Sequence, residues 1–212
     1  MKRRFFLLGA PAVLAGCAAE PIWAPDNEVN RWRYRHDGPP AITLYTMISN
    51  DTDAGAHSGL MINASERILF DPAGSYHFAE TPERNDVFFG ITERIRDFYE
   101  RYHSRVTFRV VAQEVIVTPE VAQTIYNRAL NFGAVQKANC TRAVSTVLQD
   151  LPPFQNVGVT WFPKTLMRDF EDIPGVKERL IFETDEDNKD LALKAFNAEA
   201  EFNARQATKA AN

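Results

Sequence analysis

Three short apolar segments, rich in β-branched residues, lie close together in the first half of the chain. They read AITLYTMIS over 41–49, HSGLMIN over 57–63 and RILFD over 67–71. Such segments predict buried strands, and the short polar turn between the last two is typical of a β-hairpin. Pro72 has no backbone N–H to donate, so it ends the pairing. The sequence therefore predicts a sheet that contains an antiparallel hairpin.

Helical patterns dominate the rest of the chain. Apolar residues recur at helical spacing over 89–103, and Thr118-Pro119-Glu120 has the cap, the proline and the acid of a helix start. The remaining predicted elements are a long strand over 105–118, helices from Pro119 to near Asn131, from Cys140 to before Pro152 and just after Pro163, a strand over 179–183, and a charged, Ala-rich helix or tail over 184–212. Strands and helices are mixed, so the predicted fold class is α+β.

Composition limits the class of protein. The 212 residues are 45% hydrophobic and 25% charged, which fits one globular domain. The formal net charge of −4 argues against binding to duplex nucleic acid, and two cysteines exclude a disulfide scaffold. No apolar run approaches the roughly 20 residues of a membrane-spanning helix. Without a Gly-rich phosphate loop, an H-E-x-x-H motif or zinc-spaced Cys/His residues, no cofactor and no metal is expected.

The first 16 residues have the pattern of a processing signal. Three basic residues precede a short apolar run from Phe5, which ends in Leu14-Ala15-Gly16-Cys17. This ending resembles the lipobox of bacterial lipoproteins. The resemblance implies that residues 1–16 are a signal peptide, and that Cys17 is lipidated and becomes the first residue of the mature protein. An ordinary cleaved signal or a buried amphipathic start is the alternative.

Lipidation would place the protein at the bacterial cell envelope, on the periplasmic side. Ala18 rather than Asp after the lipidated cysteine favours the outer membrane over the inner one. Cleavage removes three positive charges and changes the formal net charge from −4 to about −7, so acyl chains on Cys17 must anchor the protein to the membrane. Residues 17–40 lack periodicity and are predicted to be a lipidated tether, with Trp23 and Trp32 as candidates to dock on the domain. The basic start also resembles a twin-arginine signal, which leaves the export route open.

If Cys17 is lipidated, Cys140 is an unpaired thiol in an exported protein. Asn139 is predicted to cap a helix whose first residue is Cys140. Apolar residues three, four and seven positions later place the sulfur on the buried face, at the positive end of the helix dipole. A thiolate is stabilised there, and the thiolate is the nucleophilic form. A small buried hydrophobic residue is the alternative role.

His57 opens the second predicted strand, and Gly59 leaves space beside it. A thiolate nucleophile needs an imidazole that takes and returns its proton, which makes His57 a candidate base. A purely structural histidine is the alternative. The other histidines lie in less ordered contexts and are predicted to be surface residues: His36, His77 and His103.

Two short motifs resemble those of the circularly permuted, NlpC-type papain-like superfamily, which includes the lecithin–retinol acyltransferase family and several bacterial lipoproteins. They are AHSGLMI over 56–62 and NCT over 139–141. Members have a His at the start of a core strand, written H-x-G-apolar, and a later Asn-Cys at the start of a helix. The resemblance covers residues 41–165 and implies a papain-like domain over 41–183, with the Cys-bearing helix packed on an antiparallel sheet. It implies that Cys140 is the nucleophile and His57 the base.

The third residue of the family's site is His or an acid on the next strand, and Asp71 is the candidate here. If the hairpin has a three-residue loop centred on Ala64, His57 faces Asp71 directly, within reach of a carboxylate–imidazole hydrogen bond. A two-residue turn at Ala64-Ser65 would place Pro72 opposite His57 instead. Asp71 could also be no more than a turn acid. The other candidates for this role are Glu66 and His77.

The resemblance implies acyl transfer through a thioester on Cys140, by a membrane-anchored periplasmic thiol hydrolase or acyltransferase. The bond attacked would be an amide or an ester, and the location suggests a peptidoglycan peptide. Two alternatives stay open. One is a catalytically silent lipoprotein that binds an envelope partner and buries Cys140. The other is a protein that binds lipid or acts on it.

Overall fold

The computed structural model describes residues 19–210 and confirms the α+β class. The strands are β1 (Ala41–Ser49), β2 (Gly55–Asn63), β3 (Arg67–Phe70), β4 (Glu83–Arg84), β5 (Val87–Phe88), β6 (Phe108–Ile116) and β7 (Lys177–Ile181). The helices are α1 (Asp26–Trp32), α2 (Glu93–His103), α3 (Pro119–Leu130), α4 (Cys140–Leu148), α5 (Pro163–Glu171) and α6 (Lys189–Ala210).

The seven strands form one sheet in the order β4-β5-β3-β2-β1-β6-β7, and each neighbouring pair is antiparallel. β1 is an interior strand, with β2 on one side and β6 on the other. β3 has only four residues and pairs with the second half of β2, from Leu60 to Asn63. The first half of β2, which carries His57, therefore extends past the end of β3.

Helices cover both faces of the sheet, which explains why β1 is buried from Ala41 to Ile48 instead of alternating between buried and exposed residues. On one face, α3, α4 and α5 pack over even-numbered strand residues such as Ile42 and Leu60. On the other face, α2 and α6 pack over odd-numbered residues such as Met47 and Leu69. His57 and Asp71 have odd numbers, so the alternation of a strand places both on the α2 face.

The predicted helix starts at Pro119 and Cys140 are confirmed. The helix predicted from 89 begins instead at Glu93, because the Thr92 side chain caps it. The strand predicted over 105–118 is shorter, since Arg105 and Phe108 close a turn with two backbone hydrogen bonds before β6 begins. β7 lies two residues before the predicted position, and the charged end of the chain forms α6.

The segment before β1 is not the irregular tether that its composition predicts. It contains α1, whose Val29 is buried, and Trp23 forms a β-bridge with Arg84. The backbone N–H of Arg67 donates to the carbonyl of Tyr34 at 2.8 Å. A single buried residue on a seven-residue helix produces no apolar period, so the pattern gave no sign of α1.

The predicted signal peptide and Cys17 lie outside the described residues. Within residues 19–210, no helix is both long enough and apolar enough to cross a membrane.

Candidate active site

The start of β2 is irregular at the position that carries His57. Met47 pairs with His57 and Ile48 pairs with Gly55, so Ala56 is an extra residue in β2. Such bulges change the direction of a neighbouring side chain and are common next to functional sites. β3 has already ended at Phe70, and the edge of β2 beside His57 is therefore open to another element.

The first turn of α4 occupies that open edge. The backbone amide of Ser58 lies near the Cys140 sulfur and favours its anionic form. The Ser58 hydroxyl lies 3.0 Å from the Thr141 hydroxyl, which fixes α4 to β2 a second time. Cys140 is a free thiol with 9% of its surface exposed. The structure thus brings Cys140 next to the residue that follows His57.

Asp71 holds the far side of the His57 ring. Nε2 of His57 lies 2.7 Å from Oδ1 of Asp71, and the Tyr99 hydroxyl donates to the same oxygen at 2.7 Å. Asp71 is 1% exposed, so its charge is held by these partners rather than by water. Because Nε2 donates to the carboxylate, Nδ1 is the ring nitrogen that can exchange a proton with Cys140.

The hairpin register differs from the predicted one. Asn63 pairs with Arg67, so of the two loop lengths left open the three-residue one forms, but it is centred on Ser65 instead of Ala64. Continued past Phe70, this register places Asp71 opposite Gly59 and not opposite His57. Asp71 then reaches His57 diagonally along the same face of the sheet.

Gly59 makes that diagonal contact feasible. A Cβ atom at this position would collide with the Tyr99 hydroxyl and would lie 3.0 Å from Oδ1 of Asp71. The absence of a side chain therefore leaves room for the carboxylate and the phenol to meet beside the imidazole.

The environment of Cys140 favours its thiolate. Burial opposes ionisation of the thiol, but a side-chain hydrogen bond and the charge of His57 outweigh it. The Ser58 amide and the Thr141 hydroxyl also favour the anion, and the pKa of Cys140 is lowered to about 7. A nucleophile with a pKa near neutrality is suited to work at physiological pH.

His57 is shifted in the complementary direction. Burial disfavours its imidazolium, but the charge and the hydrogen bond of Asp71 and the contact with Cys140 raise the His57 pKa above its usual value. Burial likewise opposes ionisation of Asp71, and His57 overcomes it, so that the pKa of Asp71 is lowered. The three groups therefore favour a thiolate–imidazolium pair supported by a carboxylate.

His103 is not the surface residue that its context predicts. Its ring lies parallel to that of His57, with the centroids 6.1 Å apart, and its Nδ1–H donates to the carbonyl of Tyr99 at 3.1 Å. Burial, together with repulsion from His57, lowers the pKa of His103 to about 4, so the ring is neutral beside the imidazolium. The signal for its position was present, since His103 lies four residues after Tyr99 on the buried stripe of α2.

Asn139 stands at the N-cap position of α4, but its side chain does not cap the helix. Its φ and ψ of −106° and 10° are not the extended conformation that directs a side chain to the first-turn amides. Instead, its amide donates to the Lys137 carbonyl at 3.2 Å and its oxygen accepts from the Trp161 indole at 3.4 Å. The first-turn amides of α4 are left for another acceptor.

The other two candidates for the third residue lie elsewhere. Glu66 accepts a hydrogen bond of 2.5 Å from the Tyr126 hydroxyl and forms an ion pair with Arg33 at 3.3 Å. His77 is paired with Glu83 at 3.3 Å. Neither contacts His57 in these interactions, so Asp71 alone of the three predicted carboxylate or imidazole partners is in place.

A cleft of about 600 Å³ opens beside His57. It is lined by His57 and His103 and by other residues that include Tyr102, Lys137 and Lys189. A bound molecule in this cleft would lie against the imidazole of His57. Among the described residues, no group of three or more His, Cys, Asp or Glu side chains is arranged to hold a metal ion.

The geometry is that of an activated thiol, with an imidazole beside it and a buried carboxylate behind the imidazole. No protein-family model matches the chain, and no curated protein and no solved structure is significantly similar to it.

Proposed function

We propose that the protein is a thiol hydrolase or acyltransferase with a circularly permuted, NlpC-type papain-like domain. The observation that carries the proposal is the contact series Cys140, His57, Asp71, in which each group shifts the pKa of its neighbour toward the ionised form. An antiparallel sheet with the Cys-bearing helix packed on the strand that carries the histidine fits the same family.

The proposed reaction is acyl transfer through a thioester. The Cys140 thiolate attacks the carbonyl carbon of an amide or ester, and the uncapped amides of α4 stabilise the oxyanion. Nδ1–H of His57 protonates the leaving amine or alcohol as the C–N or C–O bond breaks. His57 then takes a proton from water or another acceptor, which attacks the thioester carbonyl; the C–S bond breaks and releases the Cys140 thiolate. Asp71 holds the ring in the required tautomer throughout.

The substrate class follows from location in this proposal. A protein anchored by lipid on Cys17 at the periplasmic side of the envelope meets peptidoglycan peptides, whose amide bonds suit the chemistry. One observation favours lipid as a second candidate: Trp161 and Phe162 are exposed, and the Trp161 indole contacts Asn139 next to the nucleophile. Aromatic side chains at the edge of a site can hold an acyl chain.

The pH dependence of Cys140 alkylation tests the proposed chemistry. Iodoacetamide labelling, measured on the peptide that contains Cys140, should rise with a midpoint near its pKa of about 7. An unperturbed thiol rises near about 8.5. Turnover of an activated ester beyond one equivalent should accompany this reactivity and be lost in Cys140→Ser.

Two results would contradict the proposal that the protein is an enzyme. Labelling that rises only near pH 8.5 or above would show an ordinary thiol. Labelling that requires denaturation would show a buried structural cysteine, and the chain would then be a silent envelope module.

Anchoring is tested separately. Cys17→Ala should move the protein out of the membrane fraction or leave the uncleaved precursor, because the acyl acceptor is absent. Cell fractionation and the intact mass of the mature protein measure this. A mature protein that begins at another residue, without added acyl mass, would disprove lipidation.

A further inference from the structure

The turn between β4 and β5 carries a carboxylate that points back toward the site. Arg84 pairs with Val87, so Asn85 and Asp86 form a two-residue hairpin loop. Their φ values are 48° and 65°, the left-handed conformation that a type I′ turn requires at both positions. Glycine is the usual residue at the second position, because it has no Cβ to strain. Asp86 occupies this position instead, and its side chain is engaged.

Asp86 joins two separate loops. Its Oδ1 accepts a hydrogen bond from the backbone N–H of Ala73 at 3.0 Å, and its Oδ2 accepts one from the backbone N–H of Val135 at 2.7 Å. Its own carbonyl accepts from the backbone N–H of Asp71 at 2.9 Å. Ala73 is in the loop that follows Asp71, and Val135 is in the loop that leads to Cys140.

The first of these loops determines where the Asp71 carboxylate lies. Ala73 has a φ of 55°, and the chain folds back so closely that a Cβ atom on Gly74 would collide with Oδ2 of Asp71. Oδ2 has no hydrogen-bond partner, so only Oδ1 is held by His57 and Tyr99. The backbone position of the loop is therefore needed to keep the carboxylate aimed at the ring.

The second loop determines where the nucleophile lies. It crosses from α3 to the uncapped start of α4, and Ala138 within it has a φ of 65°. The Asn139 side chain makes no capping hydrogen bond at this helix start. The hydrogen bond from Val135 to Asp86 is thus an anchor for the chain just before Cys140.

We propose that Asp86 is a positioning residue that sets the distance between Cys140 and the His57–Asp71 pair by clamping the two loops together. The inference rests on the proposed function, because it assigns a role in the same site. Asp86 touches none of the reacting atoms. It acts through the backbone of residues 71–73 and 135. Burial raises the pKa of Asp86, and the hydrogen bonds from Val135 and Ala73 and the charge of His57 oppose that shift.

Two substitutions distinguish the hydrogen bonds of the Asp86 side chain from the role of this residue in the turn. Asp86→Gly removes both side-chain acceptors but suits the type I′ turn better than aspartate does. Asp86→Asn keeps the side-chain shape and tolerates the left-handed backbone, but it can accept only at its carbonyl oxygen. Glu66→Gln is the matched control, since it also removes the charge of a buried carboxylate, which contacts Tyr126 and Arg33 away from the site.

The readout is the pH profile of iodoacetamide labelling at Cys140 in the full-length protein, measured below the melting temperature of each variant. We expect Asp86→Gly to lower the rate at pH 6.5 by about tenfold and to move the midpoint upward, because a displacement of about 1 Å weakens a positioned pair strongly. Asp86→Asn should show a smaller change in the same direction. Glu66→Gln should keep the wild-type midpoint.

Each remaining outcome overturns the inference. A wild-type midpoint in both Asp86 variants, with or without a lower melting temperature, would make Asp86 a structural turn residue while leaving the proposed function intact. An equal shift in Glu66→Gln would show that loss of stability alone moves the midpoint. An ordinary thiol in the wild type would overturn the proposed function together with this inference.

Discussion

The starts of α3 and α4 have the same predicted chemistry but different structures. Thr118 and Asn139 both precede a helix and both are good capping residues. Thr118 has extended dihedral angles, and its side chain accepts from the Val121 amide. Asn139 has a ψ of 10° and makes no such bond. The first helix start is closed by its own sequence, whereas the second leaves its amides open.

This difference separates a helix start that adds stability from one that can bind an anion. A cap satisfies first-turn amides and fixes the end of a helix. An uncapped end keeps its partial positive charge available. In α4 the residue at this end is Cys140, which lies beside His57. The cost is a less well anchored helix start, which contacts from Ser58 to Cys140 and Thr141 offset.

The largest expected effect tests how much of the lowered pKa of Cys140 comes from His57 and how much from the start of α4. His57→Ala should lower Cys140 labelling at pH 6 by about 30-fold, since the thiolate fraction falls as the pKa moves from near neutrality to about 8.5 or above. The rate of iodoacetamide labelling at the Cys140 peptide measures this. Unchanged labelling would show that α4 alone activates the thiol.

A thiol at the other helix start is the control for that experiment. In a Cys140→Ser background, Glu120→Cys places a thiol in the first turn of α3, where the dipole acts without an imidazole. We expect its pKa to fall by less than about one unit from the usual value. If this thiol labelled as fast at pH 6 as native Cys140, the distinction between the two helix starts would be lost.

A smaller effect is expected from Asp71→Asn. The amide still accepts from Tyr99 but no longer attracts the proton on His57, so the raised pKa of His57 returns toward about 6.5. The imidazolium is then lost as the pH rises through that lower value, and labelling near pH 7 should fall by about tenfold. Melting temperature and labelling are measured on the same samples. A large loss of stability with unchanged labelling would make Asp71 a structural residue only.

The smallest effect concerns the caps themselves. Thr118→Ala should lower the free energy of unfolding by about 1 kcal/mol, because an orphaned amide loses its acceptor. Asn139→Ala should cost less than about 0.5 kcal/mol, since no cap is removed. Urea unfolding of the two variants measures the difference. Equal losses would mean that Asn139 stabilises the α4 start after all.

Sequence patterns predicted the local elements well because apolar spacing and helix caps are local signals. Thr118 before Pro119 marked α3, and the β-branched run over 41–49 marked a strand that is buried on both faces. The same logic brought out Cys140 and His57, since a thiol at a helix start and a histidine at a strand start are visible in the chain itself.

Long-range placement was beyond these patterns. The Asp71–His57 contact was predicted from a three-residue loop centred on Ala64, whereas the loop is centred on Ser65, because composition does not fix which three residues form the turn. It forms nonetheless, since Gly59 opens a diagonal route. Tyr99 and Asp86 reach the site from elements that only the tertiary fold brings near, and neither is distinguished by its neighbours in the sequence.

The short length of β3 has a consequence for misassembly. Because β3 stops at Phe70, two elements share one edge of β2: a strand along one half and the first turn of α4 along the other. An unpaired strand edge is a template for pairing with another chain. Partial detachment of α4 would therefore expose the unpaired edge of β2 and the Cys140 thiol together. In an oxidising compartment we expect such openings to be captured as disulfide-linked dimers through Cys140, so the docked helix also protects the chain against aggregation.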